Sequence, residues 1–170
     1  MLTGARGFVG RHFLHYVDSS VEILDVSLRQ NVGATEVLAS AFDTTKLKTL
    51  LSTFKPDRFY HFAGVMKAAS PEEYYRINLL YAKSILESVS VASPDTRVIL
   101  IGSGSEYCPR FSEKPPFRED AICTPTSHYG MSKLLQTTLG LRYAGQGLKV
   151  FIPRIFNLLG PLQGSDFVIG

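Results

Sequence analysis

The sequence has few residues of the types that bind metals or form disulfides. It contains two cysteines and four histidines among 170 residues, and none of them shows the spacing of a metal site. The two cysteines, Cys108 and Cys123, are enough for one disulfide. However, the start of the chain lacks the apolar stretch of a secretory signal. We therefore expect two reduced thiols and no metal centre.

Long apolar runs and clusters of basic residues are also lacking. The longest apolar stretches, such as residues 98–101, are much shorter than the ~20 residues that cross a bilayer. The 18 basic and 15 acidic residues give a net charge of only +3, and the basic residues are scattered. The composition therefore predicts a cytoplasmic protein that binds neither membranes nor nucleic acid.

What the sequence does contain is the composition of a globular domain. Hydrophobic residues make up 45% of the chain and charged residues 19%, values that exclude a disordered chain. The 170 residues correspond to about one domain. A chain of this size buries enough surface to form a hydrophobic core.

Short apolar segments alternate with longer amphipathic ones. The apolar segments predict strands over residues 21–26, 37–40, 58–63, 98–103 and 149–154. The amphipathic segments predict helices over residues 10–17, 44–54, 72–91 and 126–144. Most of the strand segments do not alternate between apolar and polar residues, which is typical of strands buried on both faces. This order predicts an α/β fold, a Rossmann-like doubly wound parallel sheet with helices on both faces.

A glycine-rich turn precedes the first predicted helix. Gly4, Gly7 and Gly10 form a Gly-x-x-Gly-x-x-Gly pattern, which lets a backbone approach a pyrophosphate at a helix N-terminus. Asp25 ends the next predicted strand, where a carboxylate accepts hydrogen bonds from the hydroxyls of an adenosine ribose. The pattern favours a dinucleotide cofactor over the alternative, a plain strand-to-helix turn without a ligand.

Tyr129 and Lys133 lie four residues apart in a predicted helix, so their side chains share one face. A free tyrosine has a pKa of ~10, and a neighbouring cation lowers it. Such a pair is able to exchange a proton with a substrate hydroxyl or carbonyl. The same spacing also arises by chance on solvated helix faces, and the pair alone does not decide between the two interpretations.

Ser103 ends a predicted buried strand, with Gly104 and Ser105 directly after it. In open parallel sheets, ligands bind beyond the carboxyl ends of the strands, and a hydroxyl there would orient a reacting oxygen. Taken alone, this segment is more typical of a Ser/Gly turn.

Together these segments resemble the extended short-chain dehydrogenase/reductase family of nucleotide-sugar epimerases, dehydratases and reductases. The family's Thr-Gly-x-x-Gly-Phe-x-Gly matches residues 3–10, and its Arg-x-x-Asn-x-x-Gly-Pro matches residues 154–161. Its Tyr-x-x-x-Lys matches Tyr129 and Lys133, and its catalytic Ser or Thr matches Ser103. The motifs follow one another in the family's order over nearly the whole chain.

Three further positions are similar to family residues around the cofactor. Asp43 matches the aspartate that contacts the adenine, residues 61–64 match the end of the fourth strand, and Asn78 matches an asparagine of the following helix. The resemblance implies the following cofactor-binding residues: Gly4, Arg6, Gly7, Phe8, Val9, Gly10, Asp25, Asp43, Phe62, Ala63, Gly64, Ile101, Tyr129, Lys133 and Ile155.

The resemblance implies NAD or NADP as the cofactor. The choice between them stays open, because Asp25 would repel a 2′-phosphate whereas Arg6 or Arg29 would pair with it. Of the two arginines, we expect Arg6 to matter more, since it lies inside the glycine-rich turn.

The resemblance also implies a reaction, hydride transfer between the cofactor and the sugar ring of a nucleotide-sugar. Tyr129 would donate or accept the proton, Lys133 would tune it and hold the nicotinamide ribose, and Ser103 would polarise the reacting oxygen. The implied substrate-binding residues are Ser103, Gly104, Ser105, Tyr129 and Asn157.

Departures from the family pattern narrow the chemistry. Sugar dehydratases carry an acidic pair directly after the catalytic Ser or Thr, where this chain has Gly104 and Ser105. Glu106 is one position further, and alternation along an extended segment would turn it to the opposite face. The pattern is most similar to the reductases of GDP-4-keto-6-deoxy-mannose. A 4-epimerase and a cofactor-binding module or fragment without turnover remain alternatives.

Two parts of the family pattern are missing. The first strand is reduced to Leu2 and Thr3, and the chain stops soon after the Gly-Pro motif, before the region that holds most of the nucleotide-sugar. We therefore expect residues 1–170 to form an NAD(P)-binding domain with little or no turnover. We also expect unpaired edges on the strands beside the first one. The resemblance further implies a homodimer through the helices over residues 72–91 and 126–144.

Overall fold

Strands and helices alternate along the chain, as the sequence predicts. A computed structural model describes residues 1–28, 35–107, 117–161 and 163. Its strands are β1 (Leu2–Thr3), β2 (Asp25–Ser27), β3 (Glu36–Val37), β4 (Arg58–His61), β5 (Arg97–Leu100), β6 (Gly102–Ser103), β7 (Val150–Phe151) and β8 (Arg154–Ile155). Its helices are α1 (Phe8–Tyr16), α2 (Thr44–Phe54), α3 (Pro71–Tyr74), α4 (Tyr81–Ala92) and α5 (His128–Gly145).

Six of the strands form one parallel sheet in the order β3-β2-β1-β4-β5-β7. The chain runs outward from β1 in both directions, so β1 lies at the topological switch point where such sheets bind ligands. The remaining strands, β6 and β8, pair in parallel as a separate ladder. The predicted Rossmann-like fold class is confirmed.

Strand β1 is short but occupies the centre of the sheet. Leu2 pairs with Asp25 on one side and with Tyr60 on the other. The Tyr60 N–H also donates to the Met1 carbonyl at 3.0 Å, and the Phe62 N–H donates to the Thr3 carbonyl at 3.1 Å. The expectation of unpaired edges beside the first strand is therefore wrong over these residues. Even this short segment forms backbone hydrogen bonds with the strands on both sides.

Helices cover the two faces of the sheet unequally. On one face, which we call the closed face, α2, α4 and α5 pack together, and Tyr81 of α4 contacts the His61 ring of β4. On the other, the open face, α1 packs its Phe13 ring 4.6 Å from that of Tyr60 and 5.2 Å from that of Phe62. The alternation of side chains along β4 therefore divides its residues between the two helical layers.

The hydrophobic core lies on the closed face. The largest apolar side chains between the sheet and α2 and α4 are at most 1% exposed: Leu47, Leu51, Phe59, Ile85, Leu86, Val98 and Leu100. On the open face, Ile99 and Ile101 are only half-buried, and Phe151 of β7 is 65% exposed.

Several predicted elements differ in their bounds. The predicted helix over residues 72–91 comprises α3, a π-helical turn at Tyr75–Leu80 and α4. The predicted strands over residues 98–103 and 149–154 are each divided in two. Pro153 lies at the second division, where it has no N–H for a ladder, but its carbonyl accepts from the Gly102 N–H at 2.9 Å. Ser103 consequently leaves the main sheet and joins the β6–β8 ladder.

Candidate functional site

The glycine-rich turn joins β1 to α1. Gly4 has φ = +75°, in the left-handed region that favours glycine. A Cβ atom on Gly4 would lie 2.5 Å from the Ala63 nitrogen, and one on Gly10 would lie 2.2 Å from the Gly4 oxygen. Close packing therefore requires glycine at these two positions. Gly7 is less constrained, since its added Cβ would approach the Gly4 oxygen only to 3.3 Å.

The N-terminus of α1 opens from this turn at Phe8. Gly7 is the N-cap residue, no described side chain caps the helix, and the first turn contains no acidic residue. The first N–H groups of α1 therefore remain available to an anion at the positive end of the helix dipole. This arrangement fits a pyrophosphate.

Asp25 and Arg6 face each other beside the turn. Asp25 begins β2 rather than ending the strand, and it is 8% exposed. Its Oδ2 lies 3.6 Å from an Arg6 nitrogen, while its Oδ1 is buried without a hydrogen-bond partner among the described residues. Burial raises the pKa of Asp25, and the Arg6 charge opposes that rise. A buried carboxylate oxygen without a partner is suited to a ligand hydroxyl.

The structure brings Ser103 and Tyr129 together. Ser103 is 7% exposed and caps the 3-10 turn Gly104–Glu106, where its Oγ accepts from the Ser105 N–H at 3.1 Å. Burial raises the pKa of Tyr129, and a hydrogen bond with the Ser103 side chain opposes that rise. The sequence predicts a lowered pKa for this tyrosine. That prediction is wrong, because desolvation outweighs the neighbouring polar groups.

Lys133 lies one helical turn after Tyr129 and is 6% exposed. Burial lowers its pKa to about 8, and the charge of Glu106 opposes the shift. Its Nζ donates to the Gln136 Oε1 at 2.8 Å, and the Gln136 Nε2 donates to the Ile101 carbonyl at 3.0 Å. Sequence reasoning missed Gln136, although its position three residues after Lys133 was the available signal.

Glu106 was misjudged from the sequence. An extended segment would turn Glu106 to the opposite face, but Glu106 ends a 3-10 turn and is fully buried. Its Oε1 accepts from the Ser103 N–H at 2.7 Å, and its Oε2 accepts from the Arg154 Nε at 2.9 Å. Arg154 also donates to the Tyr107 hydroxyl at 2.6 Å. Glu106 therefore fixes the backbone of Ser103 and contributes negative charge near Tyr129 and Lys133.

The first position after Ser103 leaves little room for any side chain. A Cβ on Gly104 would lie 2.7 Å from the Phe156 ring. Phe156 belongs to a stack of near-parallel rings with Tyr107 and Phe117. Ser105 is exposed, and its N–H is engaged by Ser103.

Asn78 joins the end of β4 to α5. It is fully buried in the π-helical turn, where its Oδ1 accepts from the Val65 N–H at 2.8 Å. Its Nδ2 donates to the Val65 carbonyl and to the Ser132 Oγ, each at 3.0 Å. These bonds hold the segment with Ala63 and Gly64 beside the helix that carries Tyr129.

His61 lies on the closed face near Lys133. Its Nδ1 is 2.7 Å from the Thr3 Oγ1, and its ring forms an edge contact with Tyr81. Burial, together with the charge of Lys133, lowers the pKa of His61 to about 3. His61 is therefore neutral at physiological pH.

A cavity of about 510 Å³ lies along α1 on the open face. Five of the predicted cofactor residues line it: Phe8, Val9, Phe62, Ile101 and Ile155. Its other lining residues are mostly apolar side chains of α1, with Leu158 and Leu159. The cavity therefore fits an apolar or aromatic group better than a charged one.

The remaining predicted residues lie at the edges of this region. Asp43 caps α2 by accepting from the Lys46 N–H at 3.1 Å, which gives it a structural role. Asn157 follows β8 and is exposed. Arg29 and Cys108 lie outside the described residues, and Cys123 is a free thiol.

Two classes of feature do not occur within the described parts of the chain. No helix there combines the length and apolar character needed to cross a membrane. The His, Cys, Asp and Glu side chains that are described there form no group of three or more suited to a metal ion.

Comparisons with known proteins agree with these features. The model of the NAD dependent epimerase/dehydratase family matches residues 1–169. The chain is 30% identical to UDP-glucose 4-epimerase of Azospirillum brasilense, over 94% of this chain and 49% of that protein. It is 28% identical to GDP-6-deoxy-D-mannose reductase of Pseudomonas aeruginosa, over 99% of this chain and 55% of that protein.

A solved structure shows the same similarity. The structure of RMD from Pseudomonas aeruginosa complexed with NADPH superimposes with a TM-score of 0.78 at 26% identity, over 98% of this chain and 57% of that one. The chain thus spans about half the length of the curated relatives it matches. Because the family model covers nearly the whole chain, the resemblance drawn from the motifs is confirmed, and the chain belongs to the NAD dependent epimerase/dehydratase family.

Proposed function

We propose that the chain carries the cofactor-binding part of an NAD(P)-dependent oxidoreductase that reduces a nucleotide-linked 4-keto-6-deoxy sugar. The observation that carries this proposal is the grouping of Ser103, Tyr129 and Lys133 beyond the carboxyl ends of a parallel sheet. Similarity to GDP-6-deoxy-D-mannose reductase supports the reductase type. Similarity to UDP-glucose 4-epimerase makes a 4-epimerase the second candidate.

The fit of a dinucleotide rests on three features of the chain. The N-terminus of α1 would hold the pyrophosphate, the Asp25 Oδ1 would accept a ribose hydroxyl, and the apolar side chains of Ile101 and Ile155 would contact the nicotinamide. When bound, the nicotinamide supplies or accepts the hydride.

The chain's own residues would transfer the proton. A raised pKa keeps the Tyr129 hydroxyl protonated, so it is prepared to donate its proton to a sugar carbonyl oxygen, as reduction requires. The Ser103 hydroxyl would donate a hydrogen bond to the same oxygen. The Lys133 ammonium would stabilise the phenolate that remains on Tyr129. An epimerase would instead need Tyr129 to act as a base in its first step.

Substitution of Tyr129 tests this function. In a protein that carries this chain together with a substrate-binding region, we expect Tyr129→Phe to slow hydride transfer by about 10²–10⁴-fold, measured in single-turnover assays that follow NADPH absorbance with GDP-4-keto-6-deoxy-mannose. NADPH affinity should stay close to that of the wild type, which serves as the folding control. Unchanged transfer by the variant would contradict the role of Tyr129. Interconversion of UDP-glucose and UDP-galactose without net NADPH oxidation would favour the epimerase instead.

The Arg6–Asp25 ion pair bears on the choice of cofactor. A 2′-phosphate would compete with Asp25 for the Arg6 guanidinium, whereas a 2′-hydroxyl would leave the pair intact. We expect Arg6→Ala to lower the ratio of NADPH affinity to NADH affinity, measured by titration of cofactor fluorescence. An unchanged ratio would show that Arg6 does not determine the preference between NADPH and NADH.

A homodimer through the outer faces of α4 and α5 is a separate proposal. Exposed apolar side chains, Val91 on α4 and Met131, Leu135 and Leu141 on α5, support it because burial in an interface would remove them from water. We expect sedimentation equilibrium to give twice the chain mass, and Leu141→Glu to give the monomer mass. A wild-type chain that sediments as a monomer would contradict it.

A further inference from the structure

Gln136 forms the most direct contact with the Lys133 ammonium, and the proposed function gives it no role. Gln136 is fully buried on the face of α5 that carries Lys133. One end of its amide accepts from the Lys133 Nζ at 2.8 Å, and the other donates to the Ile101 carbonyl at 3.0 Å. The side chain therefore connects the lysine to the end of β5.

The two contacts fix the orientation of the amide. Only the NH₂ end is able to donate to the Ile101 carbonyl, and only the oxygen is able to accept from an ammonium. A flipped amide would place two acceptors together at one end and two donors together at the other. Each contact thus stabilises the orientation that the other requires.

The acceptor that holds Lys133 is neutral. No carboxylate within the described parts of the chain forms an ion pair with Lys133. Glu106, from the 3-10 turn, attracts the ammonium at longer range, whereas His61, from β4, lies near it as a neutral ring. Tyr129 faces it from the preceding turn of α5. A carboxylate at position 136 would neutralise the charge that a phenolate at Tyr129 needs.

We propose that Gln136 is a positioning residue, whose amide, oriented by the Ile101 carbonyl, holds the Lys133 ammonium without neutralising its charge. The ammonium thereby remains charged, in a fixed place, and available to Tyr129 and to a cofactor ribose. This inference rests on the proposed function for its purpose, but the contact itself is testable without turnover.

The test is the titration of Lys133 by NMR in chain labelled at the lysine side-chain carbon next to the ammonium. We expect Gln136→Glu to raise the titration midpoint of Lys133 by about 1–3 pH units, because an opposite charge stabilises the ammonium. We expect Gln136→Leu to lower the midpoint, because the buried charge loses its acceptor. Thr137→Val is the matched control, since Thr137 is equally buried on α5 and its Oγ1 has no partner in the described structure.

A midpoint shared by the wild type and both Gln136 variants would overturn the proposal. If Gln136→Leu does not fold, Gln136→Glu decides by itself, because its midpoint is expected to move in the opposite direction from any loss of packing. NADH affinity, measured on the same proteins, separates this proposal from the function. Shifted midpoints without NADH binding by the wild type would refute the function and leave the role of Gln136 in holding Lys133 in place.

Discussion

The closed and open faces of the sheet differ in burial, and that difference explains where the side chains with strongly shifted pKa values lie. On the closed face, Phe59 and Leu100 are completely buried beneath helices. On the open face, α1 covers the centre of the sheet and Phe151 remains 65% exposed. The side chains with the largest pKa shifts, His61, Tyr81 and Lys133, lie on the closed side. Burial on the closed face therefore shifts the pKa values of these groups, since desolvation is the largest cause of all three shifts.

Substitution of two phenylalanines, one on each face, should give the largest difference in the free energy of unfolding. Phe59→Ala on β4 should lower the free energy of unfolding by about 3–5 kcal/mol, because it opens a cavity in the core. Phe151→Ala on β7 removes a mostly exposed ring and should cost much less, within about 0.5 kcal/mol. Urea denaturation of the two variants measures the difference. Equal losses would mean that the open face is as tightly packed as the closed one.

His61 should make the closed face sensitive to acid. An unfolded histidine takes up its proton near pH 6.5, whereas the folded His61 has a pKa of about 3. As the pH falls from 6.5 towards 3, the unfolded state gains the proton first and stability is lost, by up to about 1.4 kcal/mol per pH unit. Urea denaturation between these pH values should show this slope in the wild type and a smaller one in His61→Gln. The exposed His15 on α1 is the control, and a slope that changes in His15→Gln but not in His61→Gln would contradict the account.

Lys133 should lower stability at neutral pH. Its folded pKa of about 8 lies below the unfolded value of 10.5, so the unfolded state binds the proton more strongly in that interval. Replacement by the apolar Lys133→Met should therefore stabilise the fold at pH 7 by about 1–3 kcal/mol. The gain should disappear above pH 10.5, where the lysine is neutral in both states.

Chemical denaturation of Lys133→Met at the two pH values measures this effect. Lys149 is the matched control, because it forms an exposed ion pair with Asp95 and Lys149→Met should change stability little at either pH. A Lys133 variant that is less stable than the wild type at pH 7 would show that the buried ammonium contributes to the fold.

Local patterns predicted the elements that local forces determine. Helix α2 has the predicted bounds of Thr44 and Phe54, because Asp43 caps it and its apolar spacing continues to the end. The glycine-rich turn was equally evident, since Gly4 and Gly10 are required by backbone contacts within a few residues and with the segment directly after β4.

Features that depend on distant partners were not predictable in the same way. Glu106 lies in a 3-10 turn whose carboxylate is held by Arg154, 48 positions later in the chain. The direction of the Tyr129 pKa shift depends on burial, which spacing along a helix does not reveal. Gln136 was visible as a neighbour of Lys133 on α5, but its orientation comes from the Ile101 carbonyl on another element.

Binding of NAD(P) at the carboxyl end of this sheet is tested most directly by a thermal-shift titration with NADH and, separately, with NADPH. A ligand that binds only the folded state stabilises it by about 2.7 kcal/mol at a hundredfold excess over Kd. We therefore predict a saturable rise in the melting temperature of the 170-residue chain with at least one of the two. A cooperatively melting chain whose melting temperature is unchanged by either cofactor would contradict the binding of NAD(P) at this site.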